Sequence, residues 1–243
     1  MFKTIKAVVV LVWYLISSRK ELKLVKKLDE AGDVEGRDSY VVPRVLSWGK
    51  MCINKLGSTV EVHGEENIPQ DTAVVFIANH QGLMDIPLLL GFIEKSKAFV
   101  AKIEILKVPV LSGWMKMMQC TFLDRKDRRQ SVEAMAKATE KIKEGYSLVI
   151  FPEGTRSRGG PVAEFKQGSF KLAFRSGVPI VPVTIDGTWR MYEEKKHFAS
   201  THIKLTIHPA IPTAGLSREE QGLIPPQVQK IVESALTPDS FRK

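Results

Sequence analysis

An α/β fold, with a mixed and largely parallel sheet flanked by helices, is what this 243-residue sequence predicts. Three observations carry that prediction. From residue 58 onward short β-branched or apolar runs alternate with helical patterns, the arrangement that produces parallel pairing. Several of those runs end in polar or glycine-containing loops, where such sheets place their working residues. The length suits one sizeable core with an appended segment rather than two independent domains. The division falls between an N-terminal helical segment, residues 1–56, and an α/β domain, residues 57–243.

The N-terminal segment begins with an uncharged run, AVVVLVWYLI over residues 7–16, which falls well short of the roughly 20 residues a spanning helix needs. Beyond Ser18, Leu22, Val25 and Leu28 recur between lysines, the pattern of an amphipathic helix with a basic face. Residues 1–28 hold seven Lys or Arg against Glu21, a net +6 of the chain's +9. That concentration favours an anionic leaflet, so residues 1–56 are predicted to be a membrane-associated two-helix segment. No small-x-small cleavage pattern follows Ile16 and Arg19 intrudes, which argues against a secretory leader. Residues 40–56 are either the second helix of a hairpin on the membrane or a buried core helix. The Asp-, Glu- and Gly-rich residues 29–39 between the two read as an exposed turn, which would leave both helices on one membrane face. Cys52 and Cys120 lack C-x-x-C spacing and sit among apolar residues, so they read as buried thiols and not as a disulfide framework or a zinc site.

In the α/β domain, strands are predicted at residues 72–78, 99–101, 121–123, 148–151, 180–185 and 203–207. Val132, Met135, Ala136, Thr139 and Ile142 form one face of a helix that Ser131 would cap and Gly145 would stop. Pro87 suits the first turn of another helix, with Asp85 as its N-cap. Pro179 and Pro182 suit an edge strand or a ligand-facing rim. Pro225 and Pro226 precede an apolar-periodic run ending near Leu236, a closing surface helix.

Two loops carry chemistry. Asn79-His80-Gln81-Gly82-Leu83-Met84-Asp85 follows a buried strand, and Gly82 lets it fold back so that the Asp85 carboxylate reaches the His80 imidazole. A carboxylate so placed orients the ring and stabilises its protonated form, and a base of this kind contributes about 10² to 10⁴ in rate. The alternative is that Asp85 only caps and His80 only completes a loop. Phe151-Pro152-Glu153-Gly154-Thr155-Arg156-Ser157-Arg158 leaves another apolar strand, with two arginines, a glycine and two hydroxyls that suit a phosphate, or else form a solvated basic loop. Arg125 closes Phe122-Leu123-Asp124-Arg125, with Lys126, Arg128 and Arg129 behind it. Val178-Pro179-Ile180-Val181-Pro182-Val183 is too apolar for chemistry and reads as core, and no G-x-S-x-G elbow offers a serine nucleophile.

Jointly and in this order, these segments resemble the glycerolipid acyltransferase family, its bacterial 1-acylglycerol-3-phosphate acyltransferases in particular. The H-x-x-x-x-D motif is matched from His80 to Asp85, F-x-x-R from Phe122 to Arg125, F-P-E-G-T-R-S from Phe151 to Ser157 and V-P-[IV]-[VI]-P-V from Val178 to Val183. The similarity covers roughly residues 57–212. It implies an enzyme that moves an acyl group from acyl-CoA or acyl carrier protein to the 2-hydroxyl of 1-acylglycerol 3-phosphate (lysophosphatidic acid), giving phosphatidic acid. His80 would be the base and Asp85 its partner. Arg125, Glu153, Gly154 and Arg156, with Thr155 in the same segment, would hold the acceptor phosphate, Lys102 would add a contact, and no metal or organic cofactor would be used. Transfer would be direct, without a covalent acyl-enzyme, and backbone N–H groups near Gly82 or the following helix start would stabilise the oxyanion. Residues 105–118 offer Leu, Val, Trp and Met for an acyl tunnel, or equally for helical core packing.

The same chemistry would serve a transacylase, or an enzyme whose acceptor is glycerol 3-phosphate or another lysophospholipid. A hydrolase releasing acyl groups to water would have no use for a phosphate loop. A sequence pI near 9.5 suits polyanions generally, but the aromatics do not interleave with basic residues as a base-stacking platform would, so nucleic acid is not an expected partner. A non-catalytic membrane-binding module would keep its function without His80. The lysine-rich first helix points to the cytoplasmic face of the cell membrane, peripheral or monotopic.

Overall fold

The computed structural model describes residues 9, 10, 13–124 and 126–241. Two helices come first, α1 (Arg19–Glu30) and α2 (Val34–Asn54). Residues 29–39 are predicted as an exposed turn, but only residues 31–33 link the helices. Asp33 caps α2 by accepting from the Gly36 N–H at 2.8 Å, and Arg37 is buried among Asp29, Asp38 and the Tyr146 hydroxyl. The polar residues of this stretch thus serve a cap and a buried ion pair, two uses that composition cannot separate from a loop.

The domain continues with β1 (Thr59–His63), β2 (Val75–Ala78), α3 (Asp85–Phe92), β3 (Lys97–Lys102), α4 (Pro109–Met117) and β4 (Thr121–Leu123). It closes with α5 (Arg128–Lys143), β5 (Ser147–Ile150), α6 (Lys171–Ser176), β6 (Ile180–Asp186), β7 (His202–Ile207) and α7 (Arg218–Ser234). The seven strands form one sheet in the order β1-β7-β6-β2-β5-β3-β4, parallel throughout except where β6 meets β7. The predicted mixed, largely parallel sheet is therefore observed. Residues of β2 alternate between two apolar layers, Phe76 and Ala78 facing α3 and the end of α2, Val75 and Ile77 facing α5, α6 and α7. Because both faces are covered, the central strands are apolar throughout, and β2 and β5 are buried along their whole length.

Local details differ from the sequence expectations for identifiable reasons. β1 is a further strand, an edge strand half exposed along its length, whose Glu61 and His63 disguise its period. α5 starts at Arg128, because the Asp127 carboxylate accepts from the N–H groups of Arg129 and Gln130, while Ser131 donates to the Asp124 carbonyl and caps nothing. Asp85 is the first residue of α3 and not its N-cap, its carboxylate being turned back into the preceding loop. Pro182 lies in an interior strand. Its carbonyl accepts from His208, so the missing N–H faces the place where β7 gives way to the Ile211 bridge, and no ladder bond to β2 is lost. α7 begins seven residues before Pro225, at the reciprocal capping box of Ser217 and Glu220, and carries both prolines inside it.

The N-terminal helices pack tightly on the domain. Gly49 of α2 and Gly91 of α3 meet backbone to backbone, so that a Cβ on Gly49 would fall 2.4 Å from the Gly91 nitrogen. The face of residues 40–56 that holds Gly49, Cys52 and Ile53 is buried in the core, as the second reading of that stretch has it. Leu22 and Val25 of α1 pack with Val41, Trp114 and Met117, and the Trp114 Nε1–H donates to Ser18 at 2.9 Å. Trp114 and Met117 of the proposed tunnel stretch therefore pack as core residues against α1 and α2. Among the described residues no helix is long and apolar enough to cross a membrane.

Candidate active site

Strands β2, β5 and β6 lie side by side and parallel, so their C-terminal ends open on one rim of the sheet. The chain leaves β2 for a strand on one side, and β6, on the other side, arrives from β5, which makes this a switch point where a crevice forms. Each of the three ends supplies a loop, and the loops are bonded to one another. The Ser157 N–H donates to the His80 carbonyl at 2.7 Å and the Arg158 N–H to the Gln81 carbonyl at 3.0 Å. Arg158 takes a left-handed φ of 56° to make that contact. Gln81 in turn accepts from the Gly187 N–H at 2.8 Å, which ties in the loop after β6.

His80 and Asp85 come together within this frame. The imidazole Nδ1 lies 2.6 Å from Asp85 Oδ2, and the ring stacks on Phe151 with centroids 4.1 Å apart and planes 17° from parallel. Asp85 Oδ2 also accepts from the Gly82 N–H at 2.9 Å, and Oδ1 accepts from the Thr188 hydroxyl. Asp85 is fully buried, whereas the His80 side chain keeps 18% exposure. An ionised carboxylate only accepts, so Nδ1 carries the ring proton and Nε2 is left with the lone pair. The arrangement orients a neutral imidazole as a base and supports the cation formed once it takes a proton.

Glu153, predicted beside the phosphate, is buried, with both oxygens on main-chain donors. Oε1 accepts from the His80 N–H at 2.6 Å and Oε2 from the Ala163 N–H at 2.9 Å. Burial pushes its carboxyl above the ordinary carboxylate range, and those two N–H donors and His80 pull the other way. In this geometry Glu153 braces the backbone of the base. Gly154 has a φ of 71°, and a Cβ there would fall 2.8 Å from the Lys166 ammonium, so the glycine lets that lysine fold across the loop. Thr155 is exposed and Arg156 half-buried on the same rim, and Lys102 is exposed at the C-terminal end of β3. Arg125 lies outside the described residues.

Two residues that sequence reasoning passed over complete the site. Thr188 follows Asp186-Gly187 at the end of β6, the same pattern of buried strand, glycine and polar residue seen in the other loops, and that pattern was available to find it. Glu193 accepts from the Leu83 N–H at 2.8 Å and from Arg156 Nη1 at 3.1 Å, and stands in a run of Glu and Lys that looks solvated. The Gly82 and Leu83 N–H groups, expected near the oxyanion, are thus committed inside the protein.

Known proteins resemble this chain in sequence and in fold. The acyltransferase family model matches residues 59–186. A chloroplastic 1-acyl-sn-glycerol-3-phosphate acyltransferase of Brassica napus is 36% identical over 68% of this chain, which spans about half (48%) of that protein's length. A 1-acyl-sn-glycerol-3-phosphate acyltransferase of Borreliella burgdorferi is 33% identical over 82% of this chain and 80% of its own. The crystal structure of the 1-acyl-sn-glycerophosphate acyltransferase PlsC from Thermotoga maritima superposes with a TM-score of 0.74, at 33% identity, over 96% of this chain and 95% of that one. The family match, more than half of the chain, holds the two loops that meet at His80 and runs to the end of β6, and on these grounds the chain belongs to the acyltransferase family.

Proposed function

We propose that the protein transfers a fatty acyl group from a thioester, acyl-CoA or acyl carrier protein, to the 2-hydroxyl of 1-acylglycerol 3-phosphate, giving phosphatidic acid. The observation that carries this reading is His80, held by Asp85 and Thr188 on a strand-end rim beside Arg156. Relatives named for the same acceptor support it. In the reaction His80 Nε2 takes the hydroxyl proton as the oxygen attacks the thioester carbonyl. The tetrahedral intermediate then expels the thiolate, which recovers the proton from His80. Atoms and charge balance without a metal or an organic cofactor. At the start of α3 the Asp85 and Leu88 N–H groups are bonded to the Gly82 and Met84 carbonyls and Pro87 has none, which leaves the Ile86 N–H for the developing oxyanion, while Arg156, Lys102, Arg125 and the Gly154-Thr155 turn would hold the phosphate.

The N-terminal helices would lie on an anionic membrane surface, on the cytoplasmic face. Val9, Trp13 and Ile16 are exposed apolar side chains, and Lys20, Lys23, Lys26 and Lys27 are exposed along α1, a combination suited to the interface of an acidic bilayer. The test is transfer from a radiolabelled acyl thioester to 1-acylglycerol 3-phosphate on liposomes by the parent and by His80→Ala. Phosphatidic acid from the parent, and at least about 10²-fold less from the variant, is the expected result. Equal product from both would remove His80 from the mechanism.

A further inference from the structure

We infer that Glu193 is a positioning residue for the acceptor clamp, fixing the Arg156 guanidinium relative to the loop that carries His80. The inference rests on the acyl-transfer reading above. One oxygen, Oε1, accepts both the Leu83 main-chain N–H at 2.8 Å and Arg156 Nη1 at 3.1 Å. The two loops are already joined by main-chain bonds, and this one buried atom ties the Arg156 side chain to the base loop after β2. The carboxylate is only 3% exposed, whereas the Arg156 side chain is 37% exposed and reaches the rim. Of the five N–H donors of a guanidinium, this contact occupies one among the described residues, and the others are offered to an anion at the rim.

The second oxygen explains why the pair holds. Glu193 Oε2 is buried without a hydrogen-bond partner among the described residues. It lies against Gly82, where a Cβ would fall 2.6 Å away. Drawing Arg156 off would leave a buried carboxylate with one main-chain donor, a strongly unfavourable state. Arg156 therefore stays on Glu193 when the phosphate arrives and presents its remaining edge in a fixed orientation. Without that support a long, half-exposed arginine would have to be ordered by the ligand itself, and the loss appears in acceptor binding. Gly82 has the matching role, because only a residue without a side chain lets Glu193 reach Leu83 beneath the base loop.

The test compares Glu193→Met, which fills the volume without an acceptor, and Glu193→Gln, which keeps an acceptor oxygen, in the parent and in an Arg156→Ala background. KM for 1-acylglycerol 3-phosphate and for acyl-CoA, kcat and melting temperature are measured for each. Glu193→Met is expected to raise the acceptor KM about tenfold or more, with donor KM and kcat within about threefold of the parent. Glu193→Gln should recover most of that loss, and in the Arg156→Ala background Glu193→Met should add nothing. An unchanged acceptor KM, the same factor with and without Arg156, or equal damage from Gln and Met would each overturn the inference. Absence of phosphatidic acid from the parent would overturn the acyl-transfer reading and this inference with it, whereas product from the parent with no KM shift sinks this inference alone.

Discussion

Thr188→Val removes the hydroxyl that donates to Asp85 Oδ1, with a longer 3.4 Å contact to Gln81 Oε1, and keeps the packing, since Thr188 is fully buried and Val has nearly its shape. Asp85 has no exposure, so no water replaces the lost donor, and Oδ1 is left without a partner. A hydrogen bond to a charged group contributes about 1.5–3 kcal/mol. In a chain of this size each kcal/mol moves the melting temperature by about 2–4 °C, so the variant should melt about 3–12 °C lower. The effect on catalysis should be smaller than loss of Asp85 itself, because the His80 and Gly82 bonds to Oδ2 remain. A reduction in kcat of about tenfold corresponds to roughly 1.4 kcal/mol of orientation lost by the imidazole. Thr188→Ser, which keeps the hydroxyl, should hold kcat within about threefold. Calorimetry and acyl-transfer kinetics on vesicles measure both quantities. Parent-like melting and kcat in Thr188→Val would refute the brace, and a lower melting temperature at unchanged kcat would confine Thr188 to stability.

Three further outcomes follow from other parts of the structure. Asp85→Asn keeps the volume but puts a neutral amide beside Nδ1, so the imidazolium loses its counter-charge; kcat should fall by about 10² to 10⁴ in steady-state assays, with little change in either KM. Gly91→Ala would set a methyl 2.4 Å from the Lys50 nitrogen and force α2 away from α3, so thermal unfolding should begin about 2–12 °C lower, for an overpacking cost of about 1–3 kcal/mol. Burial pushes the Lys97 ammonium down to about 7, its proton donors being spent on the Ile93 and Lys95 carbonyls. An unfolded lysine keeps its proton to roughly 10.4, so between about pH 7 and 10 the unfolded chain binds more protons and stability climbs with pH. Denaturant titrations at pH 7 and 9 should show that climb in the parent and a flatter response in Lys97→Met.

What the sequence determined by itself is what local chemistry determines. Apolar runs long enough for a strand, followed by Asn79-His80 or Pro152-Glu153, mark β2, β5 and the rim above them, because a strand buried on both faces must be apolar and must end where polar residues begin. The spacing of His80 and Asp85 about Gly82 likewise foretold a contact made within six residues. The edge strand β1 escaped notice because half its surface meets water and needs no apolar period, and the start of α5 shifted because the nearer capping carboxylate, Asp127, outcompeted Ser131. Only the tertiary structure assigned Glu153 to the backbone of His80, Thr188 to Asp85 and Glu193 to Leu83, across 73, 103 and 110 residues of chain. Those partners are chosen by strand order: with β2 between β5 and β6, three loops distant in sequence share one rim, and their buried donors and acceptors must satisfy one another.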